Sequence, residues 1–388
     1  MSEEGPLSGQ NYIAKDSVGI TTNVRLNNLI ASSGEGSVYR TSSTGQVAKI
    51  YNSPSREHFR KLRVMLEHPP RSIRSSNISI AWPTATLQKP NGPSVGFLMP
   101  EISGKRPTFL YVPMTRKLDA AGVDWYHLHH AALNVALVFQ SIHEIGCVIG
   151  DVKPENLLVD SQMRVCAIDT DSFQVTDPKT KVIYRCTVGT AEYTPREIMG
   201  QPFANVDRTA DHDNFGLAAL IYLFLFGRHP FSGGILEGEL EGLESSERIS
   251  RGLWQWNTRT PLKPHLGAIP LQMIHPELIL LVRRCFDRGH QNPQMRPTAK
   301  EWIRALGQAI DNLVWCEKAP LHVYDGQQTK CPWCELQKSG IDLFPTRAGI
   351  ESTSLHVLFR RFEERISTGD VAGAAALLHR HPRLRADK

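Results

Sequence analysis

The longest apolar run in this 388-residue chain, Leu217 to Phe226, falls far short of the roughly 20 residues a membrane-spanning helix needs. Met1-Ser2-Glu3-Glu4 is acidic with no apolar core behind it, so no secretory leader is expected. Cysteine is scarce: seven residues, an odd number, four of them (Cys147, Cys166, Cys186, Cys285) scattered through apolar or strand-like segments. That excludes a disulfide framework and points to a reducing, cytoplasmic location. Charge of one sign is not in excess either. The formal net charge of +5 is spread along the chain and does not by itself imply nucleic acid. No internal repeat of solenoid period is present. What remains, 41% hydrophobic and 21% charged residues, is ordinary soluble globular composition with room for more than one domain.

The most informative stretch is Val148-Ile149-Gly150-Asp151-Val152-Lys153-Pro154-Glu155-Asn156-Leu157-Leu158-Val159, followed by Ala167-Ile168-Asp169-Thr170-Asp171. It reads as a loop presenting a carboxylate, an ammonium and a carboxamide, then a hairpin whose far strand ends in a second carboxylate. Such a set suits magnesium-bound phosphate: hard oxygen donors for the metal, a Lys for phosphoryl charge, and an Asp to position a hydroxyl. A solvated polar loop is the plain alternative. Upstream, Val47-Ala48-Lys49-Ile50 reads as a strand, and Ala31-Ser32-Ser33-Gly34-Glu35-Gly36-Ser37-Val38 as a small-residue hairpin whose N–H groups can cover phosphates. A lone strand Lys is usually solvated at an edge, but apolar neighbours and a following helix favour a buried phosphate ligand for Lys49.

Asp151, Lys153, Asn156 and Asp169 stand at the intervals of the protein-kinase catalytic loop and metal-binding Asp, so the stretch resembles H-R-D-x-K-x-x-N…D-F-G. Val47 to Ile50 resembles the kinase third-strand motif, and Gly36-x-Val38 the end of the glycine-rich loop. Gly189-Thr190-Ala191-Glu192-Tyr193-Thr194-Pro195-Arg196-Glu197 resembles the end of an activation segment. The resemblance covers residues 24–310 and implies an α+β, bilobal protein-kinase-like fold. Its β-rich N-lobe would span 24–102 and its helical C-lobe 103–310, after a polar lead-in at 1–23.

The resemblance also implies roles. Lys49 would bind the α- and β-phosphates of ATP under Gly34 and Gly36, paired to an acidic residue on the helix Pro54 to Glu67. Glu57 is the candidate partner, with Glu67 as the alternative. Ile30, Val38, Ala48 and Leu158 would sandwich the adenine. Met99 would be the gatekeeper, with the Pro100 carbonyl and the Ile102 N–H as hinge contacts. Asp151 would orient the substrate hydroxyl, Lys153 would stabilise the γ-phosphoryl group and mark a Ser/Thr enzyme, and Asn156 and Asp169 would hold Mg2+ or Mn2+. Asp213 would tie the catalytic-loop backbone, and Glu197 would pair with Arg296. The first two loop glycines are replaced by Ala31 and Ser33. The His and Arg of H-R-D are Ile149 and Gly150, and the Phe and Gly of D-F-G are Thr170 and Asp171. A nucleotide-binding pseudokinase scaffold is therefore the alternative to an active enzyme, and no activation-loop phosphate is expected to be needed. Gly233 to Ile274, with Glu237, Glu239, Glu241 and Glu244, reads as a solvated insert or as a docking segment.

After the kinase-like region, Cys316, His322, Cys331 and Cys334 at C-x5-H-x8-C-P-W-C carry three thiolates and an imidazole, the donors of a structural Zn2+ site. The alternatives are cysteines unrelated to one another, or a glutaredoxin-type redox pair at Cys-Pro-Trp-Cys, which would need a thioredoxin-like fold around it. This zinc-knuckle module (311–338) leads to a tail (339–388) expected to form a helical hairpin from Ser352 to Ile366 and Asp370 to Leu378. The tail's basic end lacks the aromatic interleaving of nucleic-acid surfaces. The combination of D-V-K-P-E-N, D-T-D-S-F and a trailing cysteine knuckle resembles a bacterial branch of eukaryotic-like Ser/Thr kinases found in tellurite-resistance-type gene sets. That resemblance implies a protein substrate, stress signalling, and as partners a metal-dependent phosphatase and a von Willebrand-type metal-binding protein.

Overall fold

The structure, a computed structural model, describes residues 5–71, 77–259, 262–265 and 267–345, with Arg365, Asp370 and Ala375 as isolated positions. The helices expected at Ser352–Ile366 and Asp370–Leu378 lie outside the described residues. The chain divides into two compact units: Met1–Lys105 with Val138–Thr190 and Gly200–Asp213, and Arg106–Leu137 with Ala191–Met199 and Asn214–Lys388.

The first unit is built on a closed antiparallel barrel of β1 (Asn11–Lys15), β2 (Thr21–Ser32), β3 (Gly36–Thr41), β4 (Gln46–Tyr51), β7 (Ser94–Pro100) and β6 (Ala85–Gln88), with β6 pairing back onto β1. Closure removes the open edges that a strand sheet otherwise exposes. Strand alternation fills the barrel: Tyr12, Ala14, Val24, Leu26, Tyr39, Ala48, Ile50, Leu87 and Leu98 form one buried core cluster. Residues 1–23, expected as a polar lead-in, thus supply a barrel strand. Only Tyr12 and Ala14 point inward from β1, too few apolar positions to stand out in the sequence.

Helix α1 (Arg56–Glu67) begins at a capping box in which Ser55 accepts from the His58 N–H and the His58 ring accepts from the Ser55 N–H. Its inward stripe is Leu62, Val64, Met65 and Leu66, joined by Lys61. A second, three-stranded sheet joins β5 (Ile78–Ile80) to the hairpin of β8 (Leu157–Val159) and β9 (Val165–Ala167). A two-stranded ribbon pairs β10 (Val175–Thr176) with β11 (Ile183–Tyr184).

The second unit is helical. It contains α2 (Thr108–Tyr111), α3 (Pro113–Asp119), α6 (Ser245–Arg251), α7 (Pro276–Arg283) and α8 (Ala299–Asn312), with most of α4 (Trp125–His143) and α5 (Ala210–Phe226). α8 opens on a Thr298–Glu301 capping box and buries Trp302, Ala305, Leu306, Ala309 and Ile310. The segment Gly233 to Ile274 is not a simple solvated insert. Ile249, Leu253, Trp254, Ile269, Leu271 and Ile274 are all buried, and Trp254 packs against Phe286 with ring centroids 5.5 Å apart. Its acidic residues include an exposed ion pair, Glu237 with Lys263 at 2.6 Å. After α8 a hairpin of β12 (Leu313–Trp315) and β13 (Val323–Asp325) leads to α9 (Pro332–Lys338).

Candidate active site

β4 presents Lys49 away from the barrel core. Its register partners are Val38 on β3 and Phe97 on β7, and side chains directly opposite each other share a face. Period-two alternation therefore puts Val47, Lys49 and Val38 on one face, with Met99 opposite Val47. Ala48 points the other way, fully buried in the barrel core with its partners Tyr39 and Leu98. The adenine role expected for Ala48 is corrected on that ground: a one-residue shift along a strand reverses the face, and it is Val47 that lies on the Lys49 face. Ile30 lies at a register shift between β2 and β3 and is 48% exposed. Leu158 lies on β8, half-buried, and the Ile102 N–H makes no hydrogen bond among the described residues.

The β2–β3 turn closes with Ser33 N–H donating to the Gly36 carbonyl, and Asn52 donates from its carboxamide to the carbonyls of Ser33 and Gly34. Gly36 is required by close approach: a Cβ there would lie 2.4 Å from the Ile50 carbonyl oxygen. Gly34 faces open space.

The Lys49 ammonium is 2.7 Å from Asp169 Oδ1, 2.7 Å from Asp171 Oδ1 and 3.7 Å from Glu35 Oε2. Burial alone would lower its pKa, but the Asp171 and Asp169 carboxylates outweigh this and hold it above the ordinary lysine value. Glu57, the expected partner, is not among these carboxylates. It is exposed and lines a cavity of about 330 Å³, with Lys61 and Asp171 among the other lining residues. The reason is position along the helix. Glu57 shares the face of Lys61, four residues on, but sits in the exposed first turn of α1, and Lys61 is the one that is buried. Glu67 is engaged at the surface by Lys179 at 2.8 Å.

The catalytic loop is fixed from behind by Asp213, whose oxygens accept from the N–H groups of Ile149 (2.7 Å) and Gly150 (2.9 Å) and bond His143 Nε2 (2.9 Å). Asp151 is buried. Its Oδ1 accepts from Thr190 Oγ1 at 2.8 Å and its Oδ2 lies 2.5 Å from Lys153 Nζ. Asn156 donates its amide to the Asp151 carbonyl at 2.9 Å. This turns the carboxamide oxygen away, and it makes no hydrogen bond among the described residues. Asp169 sits at φ 59°, in the left-handed region, with its side chain 35% exposed. An outward carboxylate and an uncommitted carboxamide oxygen are hard donors, a fit to Mg2+.

Thr170, in place of the D-F-G Phe, does not leave a polar hole: its hydroxyl donates to the Ala81 carbonyl at 2.7 Å. Phe173, three residues on, is the buried aromatic of this turn. Gly150 has φ 76°, and a Cβ there would lie 2.6 Å from Arg208 Nη1 and 2.7 Å from Cys186 Cβ. The cation absent from position 150 is replaced by Arg208. This guanidinium donates to the Val188 carbonyl at 2.6 Å and lies over the Phe203 ring at 4.2 Å. Residues 186–188 are thereby held by a buried arginine whose contacts are protein groups.

In the second unit Arg296 donates to both oxygens of Glu197, at 2.6 and 2.9 Å, and from Nε to the Gly289 carbonyl. The donor atoms of Cys316, His322, Cys331 and Cys334 lie within 4.8 Å of one another. Cys316 Sγ is 3.6 Å from Cys334 Sγ, and His322 Nδ1 is 3.4 Å from Cys334 Sγ and 3.6 Å from Cys331 Sγ. Tetrahedral zinc with bonds of ~2.3 Å to sulfur sets ligands about 3.7 Å apart, so the donor set fits that ion. Among the described residues no thioredoxin-like sheet surrounds the Cys-Pro-Trp-Cys turn, only the β12–β13 hairpin. Trp333 within that turn is buried. It donates to the Val323 carbonyl and meets Trp125 edge-on at 4.9 Å.

Sequence reasoning missed Glu35, Asp171 and Lys61 around Lys49, Thr190 on Asp151, and Arg208 behind Gly150. Asp171 was legible in D-T-D, Glu35 and Thr190 lie inside motifs read for other reasons, and Lys61 and Arg208 carry no motif of their own.

With this geometry in hand, comparison with known proteins is specific. Residues 113–305 match the protein kinase domain family. Two proteins named protein kinase YegI, from Escherichia coli O157:H7 and strain K12, are each 37% identical over 319 residues. The alignment covers 80% of this chain and 48% of theirs, so the chain spans about half the length of these curated relatives. The cAMP-dependent protein kinase catalytic subunit 2 of Drosophila melanogaster is 29% identical over 136 residues, 35% of this chain and 34% of that one. The solved structure of the ROP18 kinase domain in complex with AMP-PNP and sucrose superposes with a TM-score of 0.52 at 13% identity. It covers 78% of this chain and 84% of that one, and shares the fold. No described helix is long and apolar enough to cross a membrane.

Proposed function

From the protein kinase domain that this chain carries, we propose that it is an ATP-dependent Ser/Thr protein kinase. The observation that carries the reading is the hydrogen-bonded set Asp151, Lys153, Asn156 and Thr190, in the same compact unit as the buried Lys49–Asp169 pair. Asp151, with one oxygen on Thr190 and the other on Lys153, orients the incoming hydroxyl and takes its proton. Lys153 serves the γ-phosphoryl oxygens, and its position two residues after Asp151 supports a Ser or Thr acceptor. Lys49 binds the α- and β-phosphates, and the purine lies against the face of Val38, Val47 and Met99. Asp169 and Asn156 would hold Mg2+, which supplies charge neutralisation to the phosphates when bound. The Cys3His cluster holds Zn2+ in a structural role, because four protein donors leave no open position for chemistry. The resemblance to tellurite-resistance-type kinases supports a place in bacterial stress signalling, with the phosphatase and von Willebrand-type partners named above.

The altered glycine-rich loop, with Ala31 and Ser33 for glycine, favours a second reading as a nucleotide-binding scaffold. Transfer of label from γ-labelled ATP to a generic protein substrate, lost in Asp151→Ala, supports the enzyme. Nucleotide binding with no transfer by the wild type supports the scaffold.

A further inference from the structure

Lys49 and Lys61 are both buried lysines, yet their surroundings are opposite in kind. Lys49 has three carboxylates around it, from Asp169, Asp171 and Glu35. Lys61, on the inward face of α1, donates to the main-chain carbonyl of Asp171 at 2.6 Å. In the protein-kinase arrangement a Glu of this helix holds the strand lysine. Here the helix brings a cation to that side of the site, and a second ammonium there repels Lys49 unless a carboxylate stands between them.

Asp171 stands there. Its side-chain oxygen accepts from Lys49 and its carbonyl accepts from Lys61, so the two lysines grip one residue. Burial ranks the three carboxylates. The Asp171 side chain is 6% exposed, that of Asp169 35% and that of Glu35 55%. An attraction between charges shielded from water is screened far less than one at the surface, so Asp171 is the dominant partner. Asp169, the more exposed, remains available to a cation.

We propose that Asp171 is the positioning carboxylate for Lys49, standing in for the helix glutamate, and that Lys61 of α1 anchors Asp171 through its main chain. The polarity of the helix-to-strand link is reversed: cation on the helix, anion on the turn. Asp169 and Asp171 are then parts of one short turn, so the lysine clamp and the candidate metal ligand form together. The Asp171 carboxylate is not carried on α1, which reaches Asp171 through the Lys61 contact to its carbonyl. This rests on the reading of Lys49 as the phosphate-binding lysine.

The test uses the full chain and two readouts. The first is steady-state kinetics with titrated ATP and Mg2+ for the wild type, Asp171→Asn, Asp171→Gly and the swap Asp171→Gly with Lys61→Glu. The second is acylation of Lys49 by dilute acetic anhydride, followed by mass spectrometry, which needs no activity. Loss of the buried carboxylate releases the Lys49 side chain from its hydrogen bond to Asp171. Asp171→Asn is expected to lower kcat on the order of 10²–10³-fold with an unchanged Mg2+ requirement. Lys49 should also be acylated several-fold faster, because it loses its most buried partner. The swap should recover at least about tenfold of the kcat lost in Asp171→Gly, the size of one restored charged contact. If the swap does not fold, the two single variants carry the decision. A wild-type kcat in Asp171→Asn, or unchanged Lys49 labelling, overturns the proposal. So does a loss whose main signature is a raised Mg2+ requirement, which would make Asp171 a metal ligand. A wild type that transfers no phosphate sinks the kinase reading itself, and the labelling ratio alone then decides the role of Asp171.

Discussion

The Lys49 cluster of the first unit and the Cys3His cluster of the second are both buried gatherings of polar side chains, held in different ways. Around Lys49 the contacts are redundant. Three carboxylates share one ammonium, two of them are more than a third exposed, and the Asp151 carboxylate likewise meets Thr190, Lys153 and, at 3.4 Å, Asn156. Around Cys331 each donor occurs once, and Trp333 between the two thiols is locked into aromatic packing against Trp125 and Phe344. Redundant ion pairs let groups change partners as substrate arrives. A single-copy donor set inside a packed aromatic layer has nowhere to relax. Damage to the first cluster should therefore cost the reaction, and damage to the second should cost the fold.

The largest expected effect lies on the folding side. Cys331→Ser, or prolonged chelation of the purified chain, should lower the melting temperature on the order of 10 °C, together with loss of stoichiometric zinc by metal analysis. An unchanged melting curve after complete removal of metal would erase the contrast. Asp151→Ala should lower the phosphoryl-transfer rate by about 10³-fold or more while leaving the melting temperature nearly unchanged. A parallel collapse of both would show that the first cluster is structural too. Arg296→Ala removes both guanidinium contacts of Glu197 and breaks three donor contacts of one buried guanidinium. The expected cost is about 3–5 kcal/mol in urea unfolding.

A pH effect sharpens the contrast further. Burial depresses both His129 and His229 to about 4, in the first case despite the ring's hydrogen bond to the Trp125 carbonyl. Both lie in the second unit. In the unfolded chain these imidazoles take up protons near pH 6.5, but in the folded chain only near 4. The unfolded state therefore binds more protons between those values. Stability is complete above about pH 6.5 and falls as the pH drops toward 4, by about 3 kcal/mol per histidine at most. Melting scans of the wild type beside His229→Gln should show a shallower acid slope in the variant. The smallest expected effect is none: phosphatase treatment should leave activity within about twofold, because Arg208 holds residues 186–188 through protein contacts rather than a phosphate.

Much of the candidate site was legible because polar residues at fixed loop spacing announce themselves. Asp151, Lys153 and Asn156 are hydrogen-bonded to one another, Asp169 pairs with Lys49, and the Cys/His donor atoms lie within 4.8 Å of one another. What spacing conveys poorly is direction. Ala48 lies beside Lys49 in sequence but on the opposite face of β4, and Glu57 lies on the expected helix but in its exposed first turn, a turn away from the buried Lys61. Residues that act through packing were the least visible. β1 contributes two inward side chains to a barrel it nonetheless closes, and Arg208 reads as an ordinary surface cation until Gly150 shows the space it fills. Asp171 was conspicuous as an oddity next to Asp169, but only the position of Lys61 explains why a carboxylate is needed there.

The central claim is that the Lys49 and Asp151 clusters together transfer phosphate from ATP. The most direct measurement follows label from γ-labelled ATP with Mg2+ into protein, for the wild type, Lys49→Ala and Asp151→Ala, with nucleotide affinity measured in parallel. Transfer by the wild type is predicted, with loss of transfer in Asp151→Ala at near-normal nucleotide affinity and loss of both in Lys49→Ala. Tight nucleotide binding by a wild type that transfers nothing to any acceptor, itself included, would contradict it.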